Sequence, residues 1–263
     1  MRTRHRRTSG GALTKVGTVG FVIALAAVAS LPGVSFADEA LGYDAPLVRA
    51  ENNAYPFTES TDGVSVVAIR SSPGSDFDLD LQRPDGTFLT SSDFGGSTVD
   101  FVVTNHNVDV SKPPVDPQSY RAFVHRYAGS GSYRIQLHST AWLLGGFEAP
   151  AWHDVVLPAG QFLHVMAFIG NRNTDYTITA SSNVGSSGEV FVFPQGNPAI
   201  DWRPRWAAMA YGSYGFGRAE AVVTFNTGGS DYFYFVFVST TPGDISDDIY
   251  FKIGPYDGTP PPF

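Results

Sequence analysis

Ser132-Tyr-Arg-Ile-Gln-Leu137 and Asp248-Ile-Tyr-Phe-Lys-Ile253 carry one pattern at two places in the chain. In the first, Tyr133, Ile135 and Leu137 project to one side while Ser132, Arg134 and Gln136 project to the other. In the second, Ile249, Phe251 and Ile253 oppose Asp248, Tyr250 and Lys252. Successive side chains of a β-strand point to opposite faces. The period of two therefore predicts an antiparallel sheet with one buried and one wet face.

A similar series of segments leads to each. Gly63–Arg70, Asp76–Leu81, Asp100–Thr104 and Tyr120–Val124 precede the first; Gly160–Phe168, Asp175–Ala180, Glu220–Thr224 and Tyr232–Val236 precede the second. A repeat of this kind divides the chain into two β-rich units of about a hundred residues each. Beyond residue 37 the segments are short, rich in Val, Ile, Phe, Tyr and Thr, and separated by Gly, Pro, Asp, Asn and Ser. That is the pattern of an all-β sandwich or barrel. The units run over 38–145 and 146–256, with the break near Leu144-Gly-Gly-Phe-Glu-Ala-Pro150, and 257–263 reads as an extended tail. Tyr232–Val238 is apolar on both faces and is expected to be central and covered on both sides, whereas Tyr120–Tyr127, with Arg121, His125 and Arg126, is expected to be more exposed. Arg83-Pro84-Asp85-Gly86 is a hairpin signal, and Pro158-Ala159-Gly160 makes a turn at the entry to the second unit.

The first 37 residues read as a secretory signal peptide. Arg2, Arg4, Arg6, Arg7 and Lys15 form a basic start, Val16–Ser30 is an uncharged and mostly apolar run, and Ser35-Phe36-Ala37 places small residues before a cleavage point at Asp38. The run falls short of the roughly 18–20 residues that span a bilayer. The chain has 17 basic and 25 acidic residues. Without the five basic residues of the leader, 12 basic face 25 acidic residues, a net charge near −13. Such a surface repels phosphate backbones, which argues against nucleic acid as a partner. There is no cysteine, so an exported form has no disulfides and no thiolate chemistry. The expected product is secreted, with no stable membrane insertion after cleavage.

Ser75-Asp-Phe-Asp-Leu-Asp-Leu-Gln-Arg-Pro-Asp-Gly-Thr87, then Leu89-Thr-Ser-Ser-Asp93, Tyr120-Arg-Ala-Phe-Val124 and Gly129-Ser-Gly-Ser-Tyr133-Arg-Ile135, resemble the bacterial pre-peptidase C-terminal (PPC) domain. That family is a jelly-roll-like β-sandwich appended to secreted proteases and related to collagen-binding modules. The likeness covers Ala54 to His138, and the second unit matches through the first. It implies two tandem jelly-roll-like antiparallel β-sandwich domains. By the repeat, Asp175 stands for Asp76, while Thr177 and Thr179 replace Asp78 and Asp80.

Two constellations are candidates for binding. Asp76, Asp78 and Asp80 alternate along one strand and share a face, where a Ca²⁺ ion would relieve their mutual repulsion. Glu51-Asn52-Asn53 adds oxygen ligands and resembles the calcium-binding linker of the collagen-binding relatives. The other reading of the trio is a hydrated outer face opposite buried Phe77, Leu79 and Leu81. The second constellation is the glycine-rich loop bearing Trp202, Trp206, Tyr211, Tyr214 and Phe216. Its aromatics would stack on sugar rings or anchor a protein, or else fold back over a sheet edge.

For catalysis there is no H-E-x-x-H, G-x-S-x-G or P-loop motif. His125 and His164 lie inside strands, as packed or satisfied side chains. The expectation is a non-catalytic secreted protein that binds an extracellular polysaccharide, matrix protein or partner enzyme. The alternatives are an accessory or chaperone-like module for a secreted peptidase, and a hydrolase without a recognisable motif.

Overall fold

The computed structural model describes residues 40–42, 46–60, 63–95, 99–105, 118–141, 149–182, 187–194, 210–214, 221–229, 232–240 and 247–254. The expected leader, the unit boundary between 145 and 146 and the tail lie outside these residues, while Ala149 and Pro150 at the end of the expected break begin a strand. The first eight strands are β1 (Leu47–Arg49), β2 (Asn53–Thr58), β3 (Gly63–Ser71), β4 (Ser75–Gln82), β5 (Phe88–Ser92), β6 (Val99–Asn105), β7 (Ser119–Gly129) and β8 (Tyr133–Ala141). The next eight are β9 (Ala149–Leu157), β10 (Leu163–Ile169), β11 (Asp175–Ser182), β12 (Gly188–Pro194), β13 (Ala210–Tyr214), β14 (Ala221–Asn226), β15 (Tyr232–Ser239) and β16 (Asp247–Gly254).

They form four antiparallel four-stranded sheets, ordered β1-β8-β3-β6, β2-β7-β4-β5, β9-β16-β11-β14 and β10-β15-β12-β13. Adding eight to every strand number of the first two sheets generates the last two. Each set is an eight-stranded jelly roll, so the fold is all-β with two tandem sandwiches, and the duplication holds strand by strand.

The strand equivalence differs from the one read in the sequence. Leu163–Ile169 takes the place of β2, not of Gly63–Arg70. Asp175–Ser182 takes the place of β3, and the acidic strand β4 corresponds to Gly188–Pro194. Thr177 and Thr179 are therefore not the counterparts of Asp78 and Asp80; on that face the second roll carries Glu189, Phe191 and Phe193. The last three equivalences, β6 with β14, β7 with β15 and β8 with β16, stand as read.

The hairpin at Arg83–Thr87 closes as expected. Arg83 N–H donates to Thr87 O at 2.8 Å, Gly86 N–H to Arg83 O at 2.9 Å, and Gly86 adopts φ 87°. At Pro158, Gln161 N–H returns to the proline carbonyl at 2.9 Å with Gly160 at φ 90°. The Gly-Ser-Gly-Ser stretch needs its first glycine: Gly129 sits at φ 74°, and a Cβ there would lie 2.1 Å from the carbonyl oxygen of Gly74.

Three apolar layers lie between the four sheets. One fills the first roll, around Phe77, Leu79, Leu81, Ile135 and Leu137. Another fills the second roll, around Ile178, Phe233, Phe235, Phe237 and Ile253. The third joins the rolls: Val64, Val66 and Phe101 of the first pack on Phe191, Phe193 and Val236 of the second. Residues Phe36–Phe263 accordingly form one compact body. Strand β15 lies between β10 and β12 with its odd-numbered residues Phe233, Phe235 and Phe237 in one layer and Tyr234, Val236 and Val238 in another. This is why its sequence is apolar on both faces.

The seam has a polar clamp at one edge. Gln136, fully buried on β8, accepts from Phe162 N–H at 2.9 Å and Leu163 N–H at 3.2 Å, and donates to Leu163 O at 3.2 Å. Beside it, His138 meets His164 edge-to-face at 4.8 Å between ring centroids, and the Arg70 guanidinium lies over Phe162.

Candidate functional site

The β2-β7-β4-β5 sheet turns one face to the first core and the other outward. Alternation along β4 puts Phe77, Leu79 and Leu81 inside and Asp76, Asp78 and Asp80 outside, as the sequence predicts. Register then decides what stands beside the carboxylates. Asp78 pairs with His125 and Asp80 with Phe123 on β7, and Asp80 pairs with Ser91 on β5. The His125 imidazole lies between two acids: Nδ1 is 4.0 Å from Asp78 Oδ2 and Nε2 is 3.6 Å from Asp80 Oδ1. Its ring stacks along the strand with Phe123, centroids 5.8 Å apart at 25°.

Burial pushes the carboxyls of Asp78 and Asp80 above the usual carboxylate range, and His125 pulls both back. Asp93 adds repulsion to both, and Asp76 adds it to Asp78. A carboxylate is costly to desolvate, and the neighbouring imidazole offsets that cost when protonated. The sequence reading of His125 as a packed or satisfied strand histidine is compatible with these contacts but did not name the partners. Its partners sit some 45 residues away, and only register brings them together.

The other expected calcium ligands lie apart from this face. Asn53 is cross-strand from Val124, which is cross-strand from Leu79, so Asn53 belongs to the core-facing row on the far side of β7. Its Oδ1 accepts from Ala54 N–H at 2.9 Å. Asn52 Oδ1 accepts from Arg126 N–H at 2.8 Å, and the Glu51 carbonyl accepts from Tyr133 O–H at 3.1 Å. The Arg126 guanidinium donates to the carbonyl of Ala50 and lies over the Phe77 ring. A cationic side chain thus ties the linker down. Sheet parity divides Asn53 from Asp76, Asp78 and Asp80, and the six residues do not converge. Among the described residues no group of three or more His, Cys, Asp or Glu side chains is placed to hold a metal ion.

Of the aromatic loop, Trp202, Trp206 and Phe216 lie outside the described residues. Tyr211 and Tyr214 belong to β13, the edge strand of its sheet. Tyr211 is 64% exposed and stacks on Phe191, centroids 6.0 Å apart, so it continues the seam's aromatic row toward solvent. Among the described residues no helix is long and apolar enough to cross a membrane.

No known protein family matches the chain, and no curated protein sequence does. Several solved structures are distantly similar. A protein of Eubacterium rectale described as secreted shares 10% identity over 82% of this chain and 79% of its own, with a TM-score of 0.28. The PBSX exported protein XepA shares 9% over 85% of this chain and 90% of its own, with a TM-score of 0.26. The major capsid protein P2 of bacteriophage PM2 shares 11% over 82% of this chain and all of its own, with a TM-score of 0.20.

Proposed function

We propose that this protein is a secreted, non-catalytic binding protein, and that it recognises an extracellular polysaccharide with the outer face of the β2-β7-β4-β5 sheet. One observation carries the reading. The same sheet of the second roll buries its outer face in the seam, whereas the first roll keeps Phe123, His125, Asp78 and Asp80 together on a face that no sheet among the described residues covers, with Phe123, His125 and Asp80 part-exposed and Asp78 buried. Two neighbouring ring planes suit the C–H face of a sugar, and flanking carboxylates accept from its hydroxyls. The acidic surface favours neutral or cationic glycans over polyanionic ones.

Pull-down on immobilised neutral, amino-sugar and acidic polysaccharides tests this. The parent is expected to be retained on one of the first two, and Phe123→Ala/His125→Ala to be lost from it. A Trp202→Ala/Trp206→Ala variant separates the contribution of the aromatic loop. Retention of the Phe123/His125 variant at parental strength would refute the assignment of the face. The likeness to PPC domains supports a second reading, an accessory module for a secreted peptidase. Capture of a peptidase with no glycan retained would favour it.

A further inference from the structure

The trio on the open face asks more of His125 than a neutral imidazole can give. Each ring nitrogen has a carboxylate as its neighbour, Asp78 Oδ2 at 4.0 Å from Nδ1 and Asp80 Oδ1 at 3.6 Å from Nε2. A neutral imidazole has one N–H and one lone pair, so in either tautomer the lone pair faces a carboxylate. The imidazolium has two N–H groups and serves both acids at once. The surroundings are acidic. Asp93 repels both carboxylates, and Asp76, further along β4, repels Asp78. On the other side of β7, strand β2 has no charged residue. Along β7 itself, Arg121 pairs with Gln82, Arg126 lies over Phe77, and Tyr127 is exposed. The His125 side chain is 34% exposed, against 11% for Asp78 and 16% for Asp80. Protons reach the ring from solvent, while the carboxylates are already largely withdrawn from water.

The ring's charge bears on recognition in two ways. The plane of a histidine ring is torsionally soft, so what holds its nitrogens sets its direction. Attachment at both nitrogens keeps the ring parallel to Phe123, where it stacks at 5.8 Å and 25°. A sugar laid over the two rings also takes water from Asp78 and Asp80, which is costly for ionised carboxylates unless a positive charge stands beside them. We infer, on the recognition reading above, that proton uptake at His125 gates this face, so that a neutral polysaccharide is held more tightly when the imidazole is charged. The sign follows from linkage. A ligand that prefers the protonated trio binds better as pH falls through the range in which imidazoles ordinarily change charge, about pH 8 to 5.

Binding to cellulose, amylose and galactomannan matrices tests this, because their hydroxyl groups stay neutral throughout that range. Affinity of the parent for the matrix that holds it should be about threefold or more higher at about pH 5.5 than at about pH 8. Its midpoint should coincide with that of the His125 ring signals in ¹H–¹⁵N spectra. His125→Phe assigns those signals among the chain's six histidines by their loss. In the ligand-free protein the Asp78 and Asp80 carboxyl ¹³C signals should move together with the ring. His125→Phe keeps an aromatic plane without the proton and should bind without this pH dependence. Equal affinity at both pH values, an unchanged pH dependence in His125→Phe, or carboxyl signals that do not follow the ring overturn the gating and leave the recognition reading in place. Failure of all three matrices to hold the parent overturns the gating of a neutral polysaccharide. If the amino-sugar and acidic matrices fail as well, the recognition reading falls with it. Where His125→Phe does not fold, Asp78→Asn/Asp80→Asn takes its place. With no carboxylates to lock the ring, its affinity should no longer rise in acid, and a parental rise overturns the gating.

Discussion

The two copies of one sheet put opposite chemistry on the same face. In the first roll the outer face of β2-β7-β4-β5 presents Asp78 and Asp80 around His125, next to Phe123. In the second, the outer face of β10-β15-β12-β13 presents Phe191, Phe193, Tyr234, Val236 and Val238, all buried against the first roll. Backbone order is the same in both, so the fold does not dictate the character of the face. What covers it does. A face that meets another sheet is held to apolar residues by the cost of burying polar groups, and a face that meets water is free to carry charge. The duplicated chain thus closes one face in the seam, while no sheet among the described residues covers its twin.

Truncating both faces should expose the difference most strongly. Phe193→Ala removes a side chain that stacks on Tyr234 at 5.0 Å and meets Phe101 edge-on, and should cost about 3–5 kcal/mol in chemical unfolding. Phe123→Ala, on the open face, should cost less than about 1 kcal/mol. Equal losses would erase the distinction. Gln136→Leu strands the N–H groups of Phe162 and Leu163 and the Leu163 carbonyl at the seam edge, for an expected loss of about 3 kcal/mol. A loss below about 1 kcal/mol would mean that the clamp is not formed.

Acid should act on the closed face as well. Burial lowers the His138 pKa from 6.5 to about 4. Above pH 6.5 the imidazole is neutral whether the chain is folded or not, and it contributes no pH dependence. Between pH 6.5 and 4 the unfolded chain takes up the proton and the folded protein does not, so stability falls as pH falls. The loss totals on the order of 3 kcal/mol and levels off below pH 4. His138→Phe should remove this segment of the curve while leaving stability near pH 7.5 within about 1 kcal/mol. Unchanged acid sensitivity in the variant would place its origin elsewhere. The raised carboxyls of Asp78 and Asp80 act in the opposite sense. They disfavour the folded state while ionised, so their contribution improves as pH falls through their folded pKa values. That opposing term makes the His138 variant, rather than the parent's curve alone, the informative comparison.

The smallest expected effect concerns calcium. With Asn53 on the core-facing row and His125 between Asp78 and Asp80, excess Ca²⁺ and a chelator should give melting temperatures within about 1 °C of each other. A clear rise with Ca²⁺ would show that the carboxylates of the open face converge on an ion after all.

Much of the fold was legible because the residues that specify it act locally. The double-sided apolarity of Tyr232–Val238, the Pro-Asp-Gly hairpin and the alternation of Asp76–Leu81 each name their own environment. The strand equivalence was misread for a physical reason. Asn53-Ala-Tyr-Pro-Phe-Thr58 is short and contains a proline, so it does not stand out as a strand and the repeated series starts at Gly63, yet it is the edge strand β2, where Pro56 needs no second partner for a missing N–H. Missing it started the count of the first unit one strand late. Tyr120 was likewise set against Tyr232, although its core-facing equivalent is Phe233; a one-residue slip turns every side chain to the other face. The His125 pairings and the Gln136 clamp depend on register between distant strands, which no single segment encodes.

Native-state hydrogen exchange at the equivalent strands β7 and β15 tests the central contrast most directly. Both are inner strands of their sheets, but only β15 lies between two apolar layers. The amides of Phe233–Val238 are expected to exchange only through global unfolding, and those of Tyr120–His125 measurably faster through local opening. Equal protection of the two strands, or faster exchange in β15, would contradict the closed seam and with it the division of the two equivalent faces into one buried and one uncovered.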